Sequence, residues 1–239
     1  MEQDSAVPLN QTRIWQIPVA NSAARATSLE ASLDSIEQQR ARAYLSGSAR
    51  LEFVTGRAVL RRLLARALGV RPGEVGFSVG ELGKPALAAP HDSRLTFSLS
   101  HSAGWVLCAL GWNRDLGIDL QRHVARRDHM AIARWACSPE ELRELEGRTG
   151  QEQIASFYTC WCRKEAVLKA LGVGLSFPVQ SLDVLSQPGT AIFHGEAASL
   201  ARGPWHVRDL ETQPGHSAAI AIRGQDAVLM RSTWDWSLE

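Results

Sequence analysis

Lysine is almost missing from this 239-residue chain: of its 26 basic side chains only Lys84, Lys164 and Lys169 are lysines. Cysteine is scarce as well. Cys108, Cys137, Cys160 and Cys162 form no CxxC pair and have no companion histidines at zinc spacing, which argues against a structural zinc motif. They read as reduced, small core residues of a cytosolic protein. There is no excess of one charge. A net charge of +1 gives no sign of general polyanion binding, so no nucleic-acid partner is expected. No apolar run approaches membrane-spanning length, and MEQDSAVPLNQTR lacks the basic-then-apolar order of a secretion signal. A cytoplasmic protein with no membrane partner is expected. What remains, 45% hydrophobic and 21% charged residues, is material for one large globular domain or two small ones.

Against the arginine background, two of the three lysines flank one glutamate. The run Gln153–Leu171 has helical spacing, with Ile154, Phe157, Tyr158, Trp161, Leu168 and Leu171 on or beside one apolar face. Glu165 interrupts that face where a core residue is expected. An isolated carboxylate there costs on the order of several kcal/mol unless a cation or hydrogen-bond donors offset it. Lys164 precedes it and Lys169 follows four residues later. An inward acid between two ammonium groups suits a divalent metal beside phosphate.

Along the chain, TRIWQIPVA alternates as a strand and residues 28–45 read as a helix, with Ser32 or Asp34 as cap. A second helix spans about Ser48 to Leu68 and stops at Gly69. GFSVGELGKPAL reads as a strand and turn, and LTFSLSHSAGWVLCALGW as two strands joined at His101–Gly104, with Ser100, His101 and Ser102 in a tight turn. DLGIDLQ alternates cleanly, placing Asp119 and Gln121 on one face. A helix carrying Ile132 and Trp135 follows. Ser138-Pro139-Glu140-Glu141 then has the pattern of a capped helix start. SLDVL, AIFHG, WHVRDL, SAAIAIRG and AVLMRS are strand-like pieces of the last third.

Two markers recur in the same order. ARALGV (65–70) and LKALGV (168–173) each end a helix, and His-Ser-Ala at 101 and at 216 each precedes an apolar strand. The recurrence suggests two related α+β lobes, 1–114 and 115–239, joined near residues 112–116, with a ligand cleft between them.

Asp119 and Glu165 are two carboxylates from separate elements, and Gln121 can add a neutral oxygen. Few oxygen ligands, with room for water and phosphate, describe magnesium rather than zinc or a closed calcium site. Taken singly, Asp119 reads better as a strand-end residue bonding the next loop, and Glu165 as a partner of Arg163 or Lys169. Ser100, His101 and the backbone N–H groups around them can hold phosphate, although a lone histidine is more often structural. No nucleophile elbow accompanies them, which argues against a serine hydrolase.

GIDLQ at 117–121 and WCRKEAVLKALGVGL at 161–175 resemble the paired signatures of the 4'-phosphopantetheinyl transferases, of the long, two-lobed, surfactin-synthetase-activating type. GKPAL at 83–87, SLSHSAGW at 98–105, EFVTGR at 52–57 and SPEEL at 138–142 resemble further blocks of that family in its order. The resemblance runs from about residue 13 to the C-terminus. It implies an α+β fold of two similar lobes in pseudo-twofold arrangement with the active site between them. It also implies transfer of 4'-phosphopantetheine from coenzyme A to a serine of an apo acyl or peptidyl carrier protein, releasing 3',5'-ADP.

Carried onto this chain, the resemblance places Asp119 and Glu165 at magnesium and Lys164 and Lys169 at phosphates, with Lys169 also serving catalysis. His101 and Ser100 fall at the coenzyme's phosphates, Lys84 near its nucleotide end, and Arg57 at the 3'-phosphate, with Arg50 a looser match. Glu165 is the preferred base for the carrier serine. One departure stands out: the second acid of the family's G-I-D-x-E is Gln121 here, which brings an oxygen but no charge. A monomer is expected, with the carrier docking around Arg126, Arg127 and Trp135. The competing readings are a coenzyme A-binding relative without transfer activity, and a metal-dependent nuclease, which lacks the expected basic surface.

Overall fold

A computed structural model describes residues 7–19, 23–80, 83–91, 94–125 and 129–238. The first strand, β1 (Gln11–Pro18), buries Ile14, Trp15 and Ile17. The helix expected over 28–45 is instead two, α1 (Ala23–Ala31) and α2 (Ser35–Arg42). Asp34 separates them. Its side chain accepts the Glu37 N–H at 2.8 Å while Glu37 Oε2 accepts the Asp34 N–H at 3.2 Å, a reciprocal cap that starts a new helix. Next, α3 (Gly47–Leu68) runs 22 residues and ends where Gly69 turns left-handed at φ +70°. A 3₁₀ turn, Pro72–Glu74, and a short hairpin of β2 (Phe77–Val79) and β3 (Pro85–Leu87) follow.

The strands β4 (Leu95–Ser102) and β5 (Trp105–Trp112) pair antiparallel through Ser102 and Trp105. The tight turn is therefore Ala103–Gly104, not Ser100–Ser102. Both turn residues have positive φ, +48° and +85°, as a two-residue hairpin loop matched to strand twist requires.

β6 (Asp115–Arg122) leads to α4 (His129–Ala136) and α5 (Pro139–Glu146), the latter capped by Ser138 as expected. Then α6 (Gly150–Leu171) spans 22 residues and ends at Gly172, φ +78°. The strands β7 (Leu182–Asp183), β8 (Ile192–Phe193), β9 (Trp205–Asp209), β10 (His216–Arg223) and β11 (Val228–Thr233) complete the described chain. The class is mixed helix and strand. No helix among the described residues is long and apolar enough to cross a membrane.

The chain divides into two compact units. One comprises Met1–Gly80, Pro85–Asn113 and Ala227–Glu239; the other comprises Glu81–Lys84 and Arg114–Asp226. This corrects a single cut between 114 and 115. The last strand, β11, pairs parallel with β1, so residues 227–239 belong to the first unit, and Lys84 belongs to the second.

In the first unit a four-stranded sheet, β11-β1-β5-β4, packs against α3 through Val59, Leu60, Leu63, Phe97, Val106 and Leu110. In the second unit an antiparallel sheet, β6-β10-β9, carries α6 on one face, with Phe157, Val167, Leu168, Ala219 and Ala221 in the core. The contact of β6 with α6 is backbone against backbone. A Cβ on Gly117 would collide with the Ala166 carbonyl oxygen and lie 2.5 Å from the Ala170 nitrogen. Only glycine allows that approach, and it brings the next residues of β6 level with the last turns of α6.

Candidate active site

Asp119 lies two residues beyond Gly117 and is buried. Its Oδ1 accepts from Lys169 Nζ at 2.6 Å, and its Oδ2 accepts from Gln121 Nε2 at 3.1 Å. Lys169 also donates to the Ile118 carbonyl at 3.1 Å, which ties the helix to the strand at this point. Glu165, one turn earlier on α6, is half-buried and makes no hydrogen bond or ion pair among the described residues. Burial pushes its carboxyl up, the charge of Asp119 pushes it further, and Lys169 only partly opposes them. Two hard oxygen groups repelling each other beside a single ammonium is a donor set that a magnesium-sized cation fits.

Lys164 is not at this site, which corrects its expected place at a phosphate. It is 1% exposed. Its Nζ lies 2.6 Å from Glu141 Oε2 and donates to the carbonyls of Val179, at 3.2 Å, and Leu182. On a helix, 164 and 165 point about 100° apart, so one of the two had to face the core. The lysine does, because a buried carboxylate waits for it. Glu141 caps α5 through the Ser138 N–H at 2.8 Å and accepts the Val184 N–H at 2.7 Å. Cys137 and Cys160 lie beside it, with their sulfurs 3.9 Å apart. Cys137, Glu141 and Cys160 could by spacing hold a metal, but the Lys164 ammonium already supplies the cation. All four cysteines are unpaired and buried, as expected.

Lys84 closes the C-terminal end of α6. Its Nζ donates to the Ala170 carbonyl at 2.7 Å and to Leu116 at 3.4 Å, and its stem lies against Gly172. A cation on the last orphan carbonyls of a helix is favourable. Burial pulls the Lys84 ammonium below its ordinary range, while Asp115 opposes that.

In the first unit His101 sits near the end of β4, with its Nδ1 3.0 Å from Glu52 Oε2 of α3. Ser100 beside it is buried. Arg57 donates to Glu37 with its guanidinium carbon 4.0 Å from the centre of the Phe77 ring, and Arg61 shares the same carboxylate at 2.6 Å. Arg50 holds both oxygens of Glu30, at 2.8 and 2.6 Å. Trp135 on α4 is 51% exposed, whereas Arg126 and Arg127 lie outside the described residues. Sequence reasoning missed Glu37, Glu52 and Glu141 as partners. Two of them had a signal, since an acid three residues after Asp34 or Ser138 marks a helix cap.

The family model of the 4'-phosphopantetheinyl transferase superfamily matches residues 115–222. The 4'-phosphopantetheinyl transferase HetI of Nostoc sp. (strain PCC 7120) is 32% identical over 90% of this chain and 89% of its own length. The 4'-phosphopantetheinyl transferase Sfp of Bacillus subtilis (strain 168) is 29% identical over 72% of this chain and 73% of its own. Among solved structures, the holo-[acyl-carrier-protein] synthase of Thermotoga maritima aligns with a TM-score of 0.37 and 19% identity, over 47% of this chain and 64% of that one, too slight a likeness to argue from. The chain belongs to the 4'-phosphopantetheinyl transferase superfamily. Its matches to HetI and Sfp agree with the Sfp-like type of that family.

Proposed function

We propose that this member transfers 4'-phosphopantetheine from coenzyme A to the serine hydroxyl of an apo acyl or peptidyl carrier protein, with magnesium held by Asp119 and Glu165. The observation that carries the site is the pair itself. Glu165 has no hydrogen-bond partner among the described residues, and its carboxyl is raised by burial and by the neighbouring Asp119. When bound, magnesium would neutralise charge on the pyrophosphate. In the transfer the serine oxygen bonds to phosphorus as the bond to 3',5'-ADP breaks, and the serine proton must leave. Glu165 is the acceptor of choice, through the oxygen that does not hold magnesium or through a water.

Lys169, already on Asp119, is placed to meet negative charge as it develops on phosphate oxygens. Gln121 enters the shell through its oxygen or a water, since its amide nitrogen is committed to Asp119. Arg57, Arg50, His101 and Ser100 are assigned to the coenzyme, as is Lys84 near its nucleotide end. Lys164 is left out because its ammonium is spent in the core. Two similar lobes in pseudo-twofold arrangement, action as a cytoplasmic monomer, and carrier docking near Trp135 belong to the same proposal.

The test is intact mass of an apo carrier incubated with the protein, coenzyme A and magnesium. A phosphopantetheine-sized gain is expected. Coenzyme binding with no gain would favour a relative that has lost transfer, and the absence of both binding and gain would sink the assignment.

A further inference from the structure

Glu52 is a buried carboxylate that the transfer reaction does not use directly. It stands on α3 and grips the β4–β5 hairpin on both sides of its turn. Oε2 lies 3.0 Å from Nδ1 of His101, and Oε1 accepts the N–H of Gly104 at 2.8 Å. The Gly104 carbonyl in turn accepts from Val19 N at 2.9 Å. The helix frame does not demand this acid: seventeen residues before its closing glycine α3 carries Glu52, and at the same place α6 carries Ala155.

Burial pushes the Glu52 carboxyl up, but the His101 hydrogen bond and the Gly104 N–H outweigh it and hold it below its ordinary value. An ionised carboxylate only accepts hydrogen bonds, so Nδ1 of His101 must carry the hydrogen. That leaves Nε2 as the reactive nitrogen. It makes no hydrogen bond among the described residues, and the side chain is 30% exposed.

We infer that Glu52 is a positioning residue that holds Nδ1–H and the ring plane of His101, so that Nε2, once protonated, faces an anionic oxygen of the coenzyme. The inference rests on the reading that places His101 at the coenzyme's phosphates. A neutral Nε2 and a phosphate oxygen are both acceptors, so their contact requires a proton on Nε2, taken from solvent. Glu52 then faces the imidazolium across Nδ1 and stabilises it. Its neighbours on the strand, Ser100 and Ser102, are uncharged.

The test combines ¹⁵N-edited NMR of the histidine rings with the kinetics of Glu52→Gln and His101→Ala. In the unsubstituted protein His101 should show a proton on Nδ1 above its ring pKa, and an Nε2–H tautomer there overturns the inference without any variant. Glu52→Gln should shift the tautomer and raise KM for coenzyme A about tenfold, with kcat changed far less, as loss of an orienting partner does. An unchanged KM in Glu52→Gln, with KM raised in His101→Ala, overturns the role of Glu52 and leaves His101 in place. No rise in KM for His101→Ala overturns both.

Discussion

The two long helices repeat one design and differ where the chemistry is. Each has 22 residues, and each ends at a left-handed glycine, Gly69 or Gly172. Eight residues before that glycine each carries a buried cation, Arg61 on α3 and Lys164 on α6. Each cation pairs at 2.6 Å with the glutamate that caps a preceding helix, Glu37 of α2 or Glu141 of α5. Each also binds carbonyls of the segment after its own helix: Val75 at 2.8 Å for Arg61, and Val179 at 3.2 Å for Lys164. One position later α3 has Arg62, whereas α6 has Glu165; four further on α3 has Arg66, whereas α6 has Lys169. The buried cation is thus common architecture, and the acid beside it is the specialisation. A lysine next to a site glutamate need not belong to the site.

The largest effects should come from breaking that shared frame. Lys164→Met strands Glu141 in the core and should lower unfolding free energy by about 3–5 kcal/mol, enough to abolish folding in a marginal background, whereas Arg61→Met leaves Glu37 paired with Arg57 and should cost less. Denaturant unfolding measures it. A folded, stable Lys164→Met with selectively weakened coenzyme binding would return Lys164 to the phosphates.

The second comparison contrasts Glu165 with its counterpart Arg62. Glu165→Gln should lower turnover by about 10²–10³-fold, the usual scale for one electrostatic group at a reacting centre. Arg62→Gln should leave turnover essentially unchanged. The same Glu165→Gln should stabilise the metal-free protein. Because the folded Glu165 carboxyl lies above its unfolded value, its contribution is present below the unfolded pKa and lost as pH rises through the folded one. Thermal melts in chelator should therefore show the substituted protein gaining over the original as pH rises from 4 to 7 (about the carboxylate titration range). A stability difference independent of pH would mean that Glu165 is not strained by its surroundings.

Much of this frame was readable along the chain, because its signals are local. Both closing glycines, the alternation of DLGIDLQ and the Ser138 cap all act within a few residues of themselves. Where partners are remote, the reading failed. Periodicity assigns the core face to Glu165, but Lys164 is the residue fully buried, because its decisive partner is Glu141, 23 residues away. The same holds for β11, whose pairing with β1 spans nearly the whole chain. At Asp34 the cue for a cap is visible, yet composition makes the stretch around it one helix, and the capping box splits it in two. The pairing of Asp119 with Lys169 and the isolation of Glu165 needed the register of strand against helix, and Gly117 sets that register.

That glycine has a milder counterpart in the other unit. On α3, a Cβ at Gly56 would meet Leu99 Cδ2 at 3.0 Å, the end of a side chain that can move. At Gly117 the obstacle is the backbone of α6, which cannot. Gly117→Ala should cost about 1–3 kcal/mol or more and reduce transfer by shifting Asp119 from Lys169, whereas Gly56→Ala should stay below about 1.5 kcal/mol. Equal costs, measured by chemical denaturation, would deny the close approach its special role.

The smallest expected effect is at Gln121, where the chain departs from its family's usual acid. Gln121 now donates to Asp119 Oδ2. Gln121→Glu replaces that hydrogen bond with a second negative charge beside Asp119 and near Glu165, so the metal-free protein should melt a few degrees lower. About 1 kcal/mol of repulsion shifts the melting point of a chain this size by roughly 2–4 °C. The added charge should also lower the magnesium concentration needed for half-maximal transfer, because cation affinity in oxygen sites rises with ligand charge. Both changes must appear together if Gln121 adjoins the metal. A lowered melting point with an unchanged magnesium requirement would place the cation on the Glu165 side of Asp119, beyond reach of residue 121, and the glutamine would then serve only to orient Asp119.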